Sequence, residues 1–143
     1  MKVELQRLNS DFHFKAVNED GNSMEMDASP DIGGKGKGVR PMQTLLMALG
    51  GCSAIDIILI LKKQKQKIID FRISVEAGRT KDKDFSLFKD ILIHYKLSGQ
   101  VDAVKAKKAI ELSLSKYCSV AKTLEKSAEI SFRLSLNGHV IKS

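Results

Sequence analysis

The chain has 143 residues, of which 43% are hydrophobic and 29% are charged. This length suits one domain with one core, and the composition excludes a disordered tail protein and an ordinary membrane protein. The net charge of +7 raises the question of nucleic acid, but the lysines fall in separate clusters without interleaved aromatic residues or zinc-finger spacing. We therefore expect the lysines to lie on solvated helix faces and predict no nucleic-acid partner.

The N-terminal segment lacks the apolar stretch of a secretory signal. The most apolar run, residues 55–61, contains Asp56 and is too short to cross a bilayer. These two features predict a cytoplasmic protein without a membrane partner.

Short strand patterns occupy the first part of the chain. They lie at 3–8, 12–17 and 24–27, with a turn cluster at 18–22 before the third, and they predict a β-meander. The glycine-rich stretch 29–38 matches no phosphate-binding motif, so we expect a flexible loop.

A long helix should begin at Pro41 and continue to about residue 65, because proline suits a first helical turn. The segment is apolar on nearly all sides through Leu61 and then turns lysine-rich. A helix that is apolar all round is buried. We therefore predict the central helix of the core, with Cys52 at its middle.

Strand and helix patterns also fill the second half of the chain. In order, they are strands at 69–77 and 85–98 around a turn at 78–84, helices at 102–114 and 120–127 around an interruption at 115–119, and a strand at 129–136 that Gly138 ends. The two longer strands should form a hairpin. Helices and strands segregate along the chain, which favours an α+β fold in a single domain over residues 1–143.

The two cysteines, Cys52 and Cys118, lie 66 positions apart and form no CxxC motif. In a cytosolic chain two such cysteines do not indicate a disulfide scaffold. The three histidines stand without another ligand at metal-binding spacing. We therefore predict neither a metal nor a cofactor.

The neighbours of Cys52 suggest a special environment. Two glycines precede it, and each costs on the order of 1 kcal/mol relative to alanine inside a helix. A reason for them would be close approach of another backbone or helix. Asp56 lies four residues after Cys52 on the same helix face, and a carboxylate inside an apolar helix needs a polar partner.

Cys118 precedes the predicted short helix, with Ser119 as a possible cap. A helix N-terminus favours a thiolate, and Lys116 adds positive charge, so we expect the pKa of Cys118 to be lowered. Spacing alone, however, favours the plainer interpretation that both cysteines are core residues, because free cysteine is among the most buried residue types.

Two segments resemble motifs of one family. Residues 41–56, PMQTLLMALGGCSAID, resemble the central-helix motif of the OsmC/Ohr family (osmotically inducible protein C and organic hydroperoxide resistance), and residues 116–121, KYCSVA, resemble its second cysteine motif. The predicted order of elements agrees, so the resemblance covers nearly the whole chain. Within the family the uncharacterised YhfA-like branch is the most similar.

This resemblance implies an OsmC-like fold, with an antiparallel sheet and a long central helix, in an intertwined homodimer that has two active sites at its interface. It also implies that Cys52 attacks an organic hydroperoxide as a thiolate and becomes a sulfenic acid. Cys118 then forms a disulfide with it, which a dithiol reductant cleaves. Organic hydroperoxides would be preferred because the pocket is apolar.

The chain departs from the family at one pair of positions. Peroxidases of the family carry a glutamate just after the proline of the first motif, paired with an arginine from the N-terminal strands. Here those positions hold Met42 and Gln43, and the candidate arginines are Arg7 and Arg40. These four residues and Asp56 are the predicted supporting residues. We expect weak peroxidase activity, and the alternative is a non-catalytic redox-sensing or small apolar ligand-binding relative.

Overall fold

The computed structural model describes residues 1–81 and 84–142 and divides them into two compact units, Met1–Leu45 and Leu46 onward. In chain order the elements are β1 (Val3–Arg7), β2 (Phe14–Asn18), β3 (Ser23–Met26), a 3-10 turn (Pro30–Ile32), α1 (Pro41–Lys63), β4 (Lys67–Arg79), β5 (Phe88–Gln100), α2 (Ala103–Leu112), a π-helical turn (Ser113–Tyr117), α3 (Ser119–Leu124), β6 (Glu129–Leu136) and β7 (His139–Ile141).

The first unit contains the predicted meander, in which β2 pairs with β1 and β3 in antiparallel register. The glycine-rich segment that follows is organised by Asp27, which is buried. Its carboxylate accepts hydrogen bonds from the backbone N–H groups of Ala28, Lys35 and Lys37. The bond from Lys37 is the largest of the effects that hold the pKa of Asp27 below its usual range.

The second unit contains a four-stranded sheet in the order β4-β5-β6-β7. The predicted hairpin of β4 and β5 is confirmed. The expectation of an antiparallel sheet is wrong for β5 and β6, which pair in parallel. The connection permits this pairing, because α2, the π-helical turn and α3 lie between these strands and a parallel pair needs a crossover of this length, and the way the crossover lies against the sheet decides it.

Several strand ends differ from the predicted ones by one to three residues. β5 begins at Phe88 rather than at 85, and β4 runs on to Arg79, while residues 82 and 83 of the predicted turn lie outside the described residues. The prediction also missed β7. Asn137 and Gly138 both have positive φ, 51° and 82°, and form the turn between β6 and β7. An Asn-Gly pair is a strong hairpin signal, so the sequence did contain this information.

Helix α1 has the predicted start and packs across the sheet of the second unit. The Tyr95 hydroxyl of β5 donates to Ser53 Oγ of α1 at 2.8 Å. A Cβ built on Gly50 would lie 3.5 Å from Val75 Cγ2, which is ordinary contact. Around these contacts lies the core, formed by Leu49, Ile57 and Leu61 of α1 and by Ile91, Ile93, Tyr95 and Leu97 of β5.

Within this chain α1 is not buried on every side, contrary to the expectation. Met47, Ile55 and Leu59 are 51%, 62% and 52% exposed. Residues 55–61 alone are too short to cross a membrane, but the whole of α1 is long and apolar enough. This is weak evidence of a membrane span, since core helices of soluble proteins meet the same criteria.

Candidate active site

The structure brings the two cysteines together with Asp56. Cys52 lies in α1, and Cys118 lies directly after the π-helical turn. The two sulfur atoms and a carboxylate oxygen of Asp56 all lie within 4.8 Å of one another. Cys52 is half-buried and Cys118 is fully buried. A disulfide requires sulfurs about 2.05 Å apart, so side-chain rotations would have to close the remaining distance.

The π-helical turn sets the position of Cys118 against α1. The N–H of Cys118 donates to the carbonyl oxygen of Ser113 at 2.8 Å, which is the spacing of a π-turn. The Ser113 hydroxyl in turn donates to Asp56 Oδ2 at 3.0 Å. Asp56 therefore has the polar partner that its place in an apolar helix required.

A second pair of hydroxyls supports this site from the sheet side. Ser53 Oγ accepts the hydrogen bond from Tyr95 and donates to the carbonyl oxygen of Leu49 at 2.8 Å. Burial raises the pKa of Tyr95 far above its usual value, and the hydrogen bond with Ser53 opposes this only in part. Ser53, Tyr95 and Ser113 were not among the predicted site residues. Tyr95 could have been found, because it lies on the buried face of a predicted strand and a buried hydroxyl needs a partner.

The prediction of a lowered pKa for Cys118 is wrong. The pKa of this thiol is raised to about 11, mainly by burial and in smaller part by the nearby Cys52 thiol, and a hydrogen bond from the Ala121 N–H opposes the rise only in part. That N–H donates to Cys118 Sγ at 3.4 Å, so Cys118 itself, rather than Ser119, caps α3. Lys116 Nζ lies 5.5 Å from the centroid of the Tyr117 ring. The loss of hydration on burial thus raises the pKa of Cys118 by more than the N-terminus of α3 lowers it.

This pKa predicts a particular pH dependence of stability. The ordinary thiol pKa is 9.0 and the folded value is about 11, so the folded state keeps a proton that the unfolded state releases. The contribution of the protonated Cys118 thiol to the free energy of unfolding is complete below pH 9 and should be lost as the pH rises from 9 to about 11. We expect the free energy of unfolding of wild type to fall more steeply over this range than that of Cys118→Ala, measured by urea unfolding under reducing conditions. Parallel curves for the two proteins would contradict the assignment.

The remaining predicted supporting residues all lie in the first unit. Gln43 Oε1 accepts a hydrogen bond from the backbone N–H of Arg40 at 2.9 Å and so caps the start of α1. Met42 is half-buried in the same helical turn, and Arg7 and Arg40 are exposed. Their roles in chemistry stay predictions.

The predicted close approach at the two glycines is not found within the described part of the chain. A Cβ on Gly51 would meet no atom within 4 Å, and the contact at Gly50 is an ordinary one.

Elsewhere the second unit forms a cavity of about 650 Å³ that includes neither cysteine in its lining. It is lined by Lys107, Glu111, Ile130, Ser131, Phe132, Arg133, Leu134, Val140, Ile141 and Lys142.

Residues 34–133, which include both cysteines, match the sequence model of the family described as "OsmC-like protein". The chain belongs to the OsmC-like family. Among curated relatives of this OsmC-like protein, "Protein YhfA" of Escherichia coli (strain K12) is 42% identical over 96 residues, which cover 66% of this chain and 70% of YhfA. The resemblance found in the sequence is therefore confirmed.

Solved structures confirm the α+β fold. A hypothetical protein from Aquifex aeolicus VF5 superimposes with a TM-score of 0.78 at 31% identity, covering 95% of this chain and 96% of that one. The organic hydroperoxide resistance protein OsmC from Legionella pneumophila superimposes with a TM-score of 0.71, covering 94% of this chain and 97% of that one. Its identity is 14%, so this likeness establishes the fold alone.

Proposed function

We propose that this OsmC-like protein is a thiol-dependent peroxidase that reduces organic hydroperoxides through Cys52 and Cys118. The observation that carries the proposal is the convergence of two thiols, distant in the sequence, to within 4.8 Å. The naming of the Legionella pneumophila structural relative as an organic hydroperoxide resistance protein supports it.

The reaction has two chemical steps and one regeneration step. The Cys52 thiolate attacks the distal oxygen of the hydroperoxide, so an S–O bond forms, the O–O bond breaks, and the alkoxide takes a proton to leave as an alcohol. The Cys118 thiol then attacks the Cys52 sulfur and gives its proton to the departing hydroxide, so that the disulfide forms and water is released. A dithiol reductant restores both thiols and is itself oxidised to a disulfide.

The order of the cysteines follows from their environments. Cys52 is only half-buried and is therefore the more accessible of the two thiols, whereas Cys118 is fully buried. The raised pKa of Cys118 keeps it protonated at neutral pH, which suits a thiol that acts second. Cys52 is therefore the thiol oxidised first.

The rate should be low beside that of relatives that have the arginine–glutamate pair. The third member of the site is the carboxylate of Asp56 rather than a cation, and a cation near sulfur is the usual means of stabilising a thiolate. Gln43 and Met42 cannot form an ion pair with an arginine. Loss of such positioning costs on the order of a hundredfold in rate.

The direct test is consumption of cumene hydroperoxide or tert-butyl hydroperoxide by the reduced protein in the presence of dithiothreitol. We expect repeated turnover and a preference for both over hydrogen peroxide. Absence of turnover with every hydroperoxide would contradict the proposal and favour the redox-sensing or ligand-binding alternative.

Restoring the family carboxylate should raise the rate. In Gln43→Glu the new carboxylate can still accept the hydrogen bond from Arg40 that caps α1, so the helix start should be preserved. Met42→Glu is the alternative, because the family carboxylate can align with either position. We expect one of the two variants to turn over cumene hydroperoxide up to about 100-fold faster than wild type.

Gln100→Glu at the exposed end of β5 adds the same charge elsewhere and should leave the rate unchanged. If wild type already matches the strong peroxidases, or if neither carboxylate variant exceeds the control, the missing glutamate does not limit the reaction.

We further propose that the protein is a cytoplasmic homodimer of single-domain subunits. Met47, Gly51, Ile55 and Leu59 recur every fourth residue on α1 and form one exposed stripe. An exposed apolar stripe of this kind is typical of a protein interface. Cys52 is adjacent to it in sequence, so a partner seated there would form part of the entrance to the thiols.

A further inference from the structure

The cluster of Cys52, Cys118 and Asp56 has the donor set of a metal site. It offers two thiolates and one carboxylate, contributed by α1 and by the segment between the π-helical turn and α3. Sulfur, nitrogen and carboxylate oxygen are the donors that Zn²⁺ takes in proteins. The spacing of four residues connects Asp56 with Cys52, but no spacing rule connects Cys118 with them, because Cys118 reaches them only in the fold.

We propose that Cys52, Cys118 and Asp56 bind one Zn²⁺ ion and leave the fourth coordination position open. Zinc binds thiolate sulfur at about 2.3 Å and carboxylate oxygen at about 2.0–2.2 Å, so two ligands of a tetrahedral ion lie roughly 3.5–4 Å apart. The observed separations, within 4.8 Å, therefore need a contraction of about 1.3 Å at most, which side-chain rotation can supply.

Two hydrogen bonds hold the ligands as the outer partners of a metal site do. The Ser113 hydroxyl donates to Asp56 Oδ2 and so fixes the carboxylate, which has lone pairs left to bind an ion. The Ala121 N–H donates to Cys118 Sγ, which stabilises a thiolate ligand. Among the ion pairs of residues 1–81 and 84–142 none involves Asp56, so the carboxylate has no competing cation there.

The burial of the cluster determines its open side. Cys118 closes the inner side because it is fully buried, whereas Cys52 is half-buried and provides the route of entry. Cys52 and Asp56 are four residues apart on a regular helix, so both face the same side of it. Three protein ligands with one open position is the arrangement of zinc sites that admit water or a small ligand.

This binding uses the same sulfurs as the proposed peroxidase reaction but does not require that reaction to occur. A bound zinc ion coordinates both thiolates and so prevents disulfide formation. Metal binding can therefore be measured on the reduced protein alone, and the result does not depend on whether any hydroperoxide is consumed.

The test uses the whole protein, reduced, stripped with a chelator and kept free of oxygen. Co²⁺ is added as a spectroscopic probe, and Zn²⁺ affinity is measured by competition with a chromophoric chelator. We expect one Co²⁺ per chain, a thiolate-to-cobalt charge-transfer band, tetrahedral d–d bands, and displacement of the cobalt by zinc. Cys118→Ser should lose about half of the charge-transfer intensity, because one of two sulfur ligands is gone.

Asp56→Asn is the decisive variant. Its amide oxygen can still accept the Ser113 hydrogen bond, so the fold should be kept, which urea unfolding would verify. Loss of an outer partner alone weakens metal binding about 10- to 100-fold, so loss of this ligand should weaken zinc binding at least about 10-fold. Asp70→Asn, an exposed carboxylate on β4, is the matched control and should bind zinc as wild type does. Absence of a charge-transfer band in wild type, or equal zinc affinity of Asp56→Asn and wild type, would overturn the proposal.

Discussion

Replacement of Cys52 by serine should abolish turnover of cumene hydroperoxide with dithiothreitol. The serine hydroxyl is not ionised at neutral pH and cannot form a sulfenic acid, so both the attack and the disulfide step are lost. We expect the rate to fall to the background of the reagents, a loss of at least about 1,000-fold if wild-type activity allows that range to be measured. The measurement is peroxide remaining with time, at equal protein concentration.

Cys118→Ser is the matched variant, since it removes the second thiol and leaves the first. Its Cys52 should still be oxidised once per chain, and the sulfenic acid should persist because no second thiol condenses with it. A dimedone adduct found on Cys52 by mass spectrometry would identify it. Labelling of Cys118 in Cys52→Ser, together with none of Cys52 in Cys118→Ser, would reverse the order of the two cysteines.

Ile55→Asp should convert the proposed dimer into monomers. Ile55 is 62% exposed in the single chain and lies at the centre of the apolar stripe on α1. A two-fold interface would contain this substitution twice and would bury two unpaired carboxylates. We expect the dissociation constant of the dimer to rise at least about 1,000-fold, equivalent to roughly 4 kcal/mol. Sedimentation velocity at micromolar concentration measures it.

Val104→Asp provides the control for this experiment. Val104 is an exposed β-branched residue on α2, 74% accessible, outside the stripe. Its replacement should leave the protein dimeric and folded. A wild-type protein that sediments as a stable monomer at micromolar concentration, or an Ile55→Asp variant that remains dimeric, would refute the proposed interface.

Local patterns in the sequence were sufficient to predict most of the helices and strands. The start of α1 at Pro41, the meander of the first unit and the β4–β5 hairpin all follow from hydrophobic period and turn residues, which act between near neighbours. The two cysteine motifs were sufficient to identify the family, because they combine residue type and spacing over short segments. The β6–β7 hairpin was not predicted, although the Asn137–Gly138 pair in the sequence indicates it.

Long-range packing determined the sheet topology, the assembly of the site and the pKa of Cys118. The parallel pairing of β5 with β6 depends on how the crossover lies against the sheet, which no local pattern contains. The convergence of Cys118 on Cys52 and Asp56 depends on the π-helical turn packing against α1. The pKa of Cys118 was predicted in the wrong direction, because the sequence indicates the helix terminus beside the thiol, whereas the loss of hydration that outweighs it exists only once the chain has folded around it.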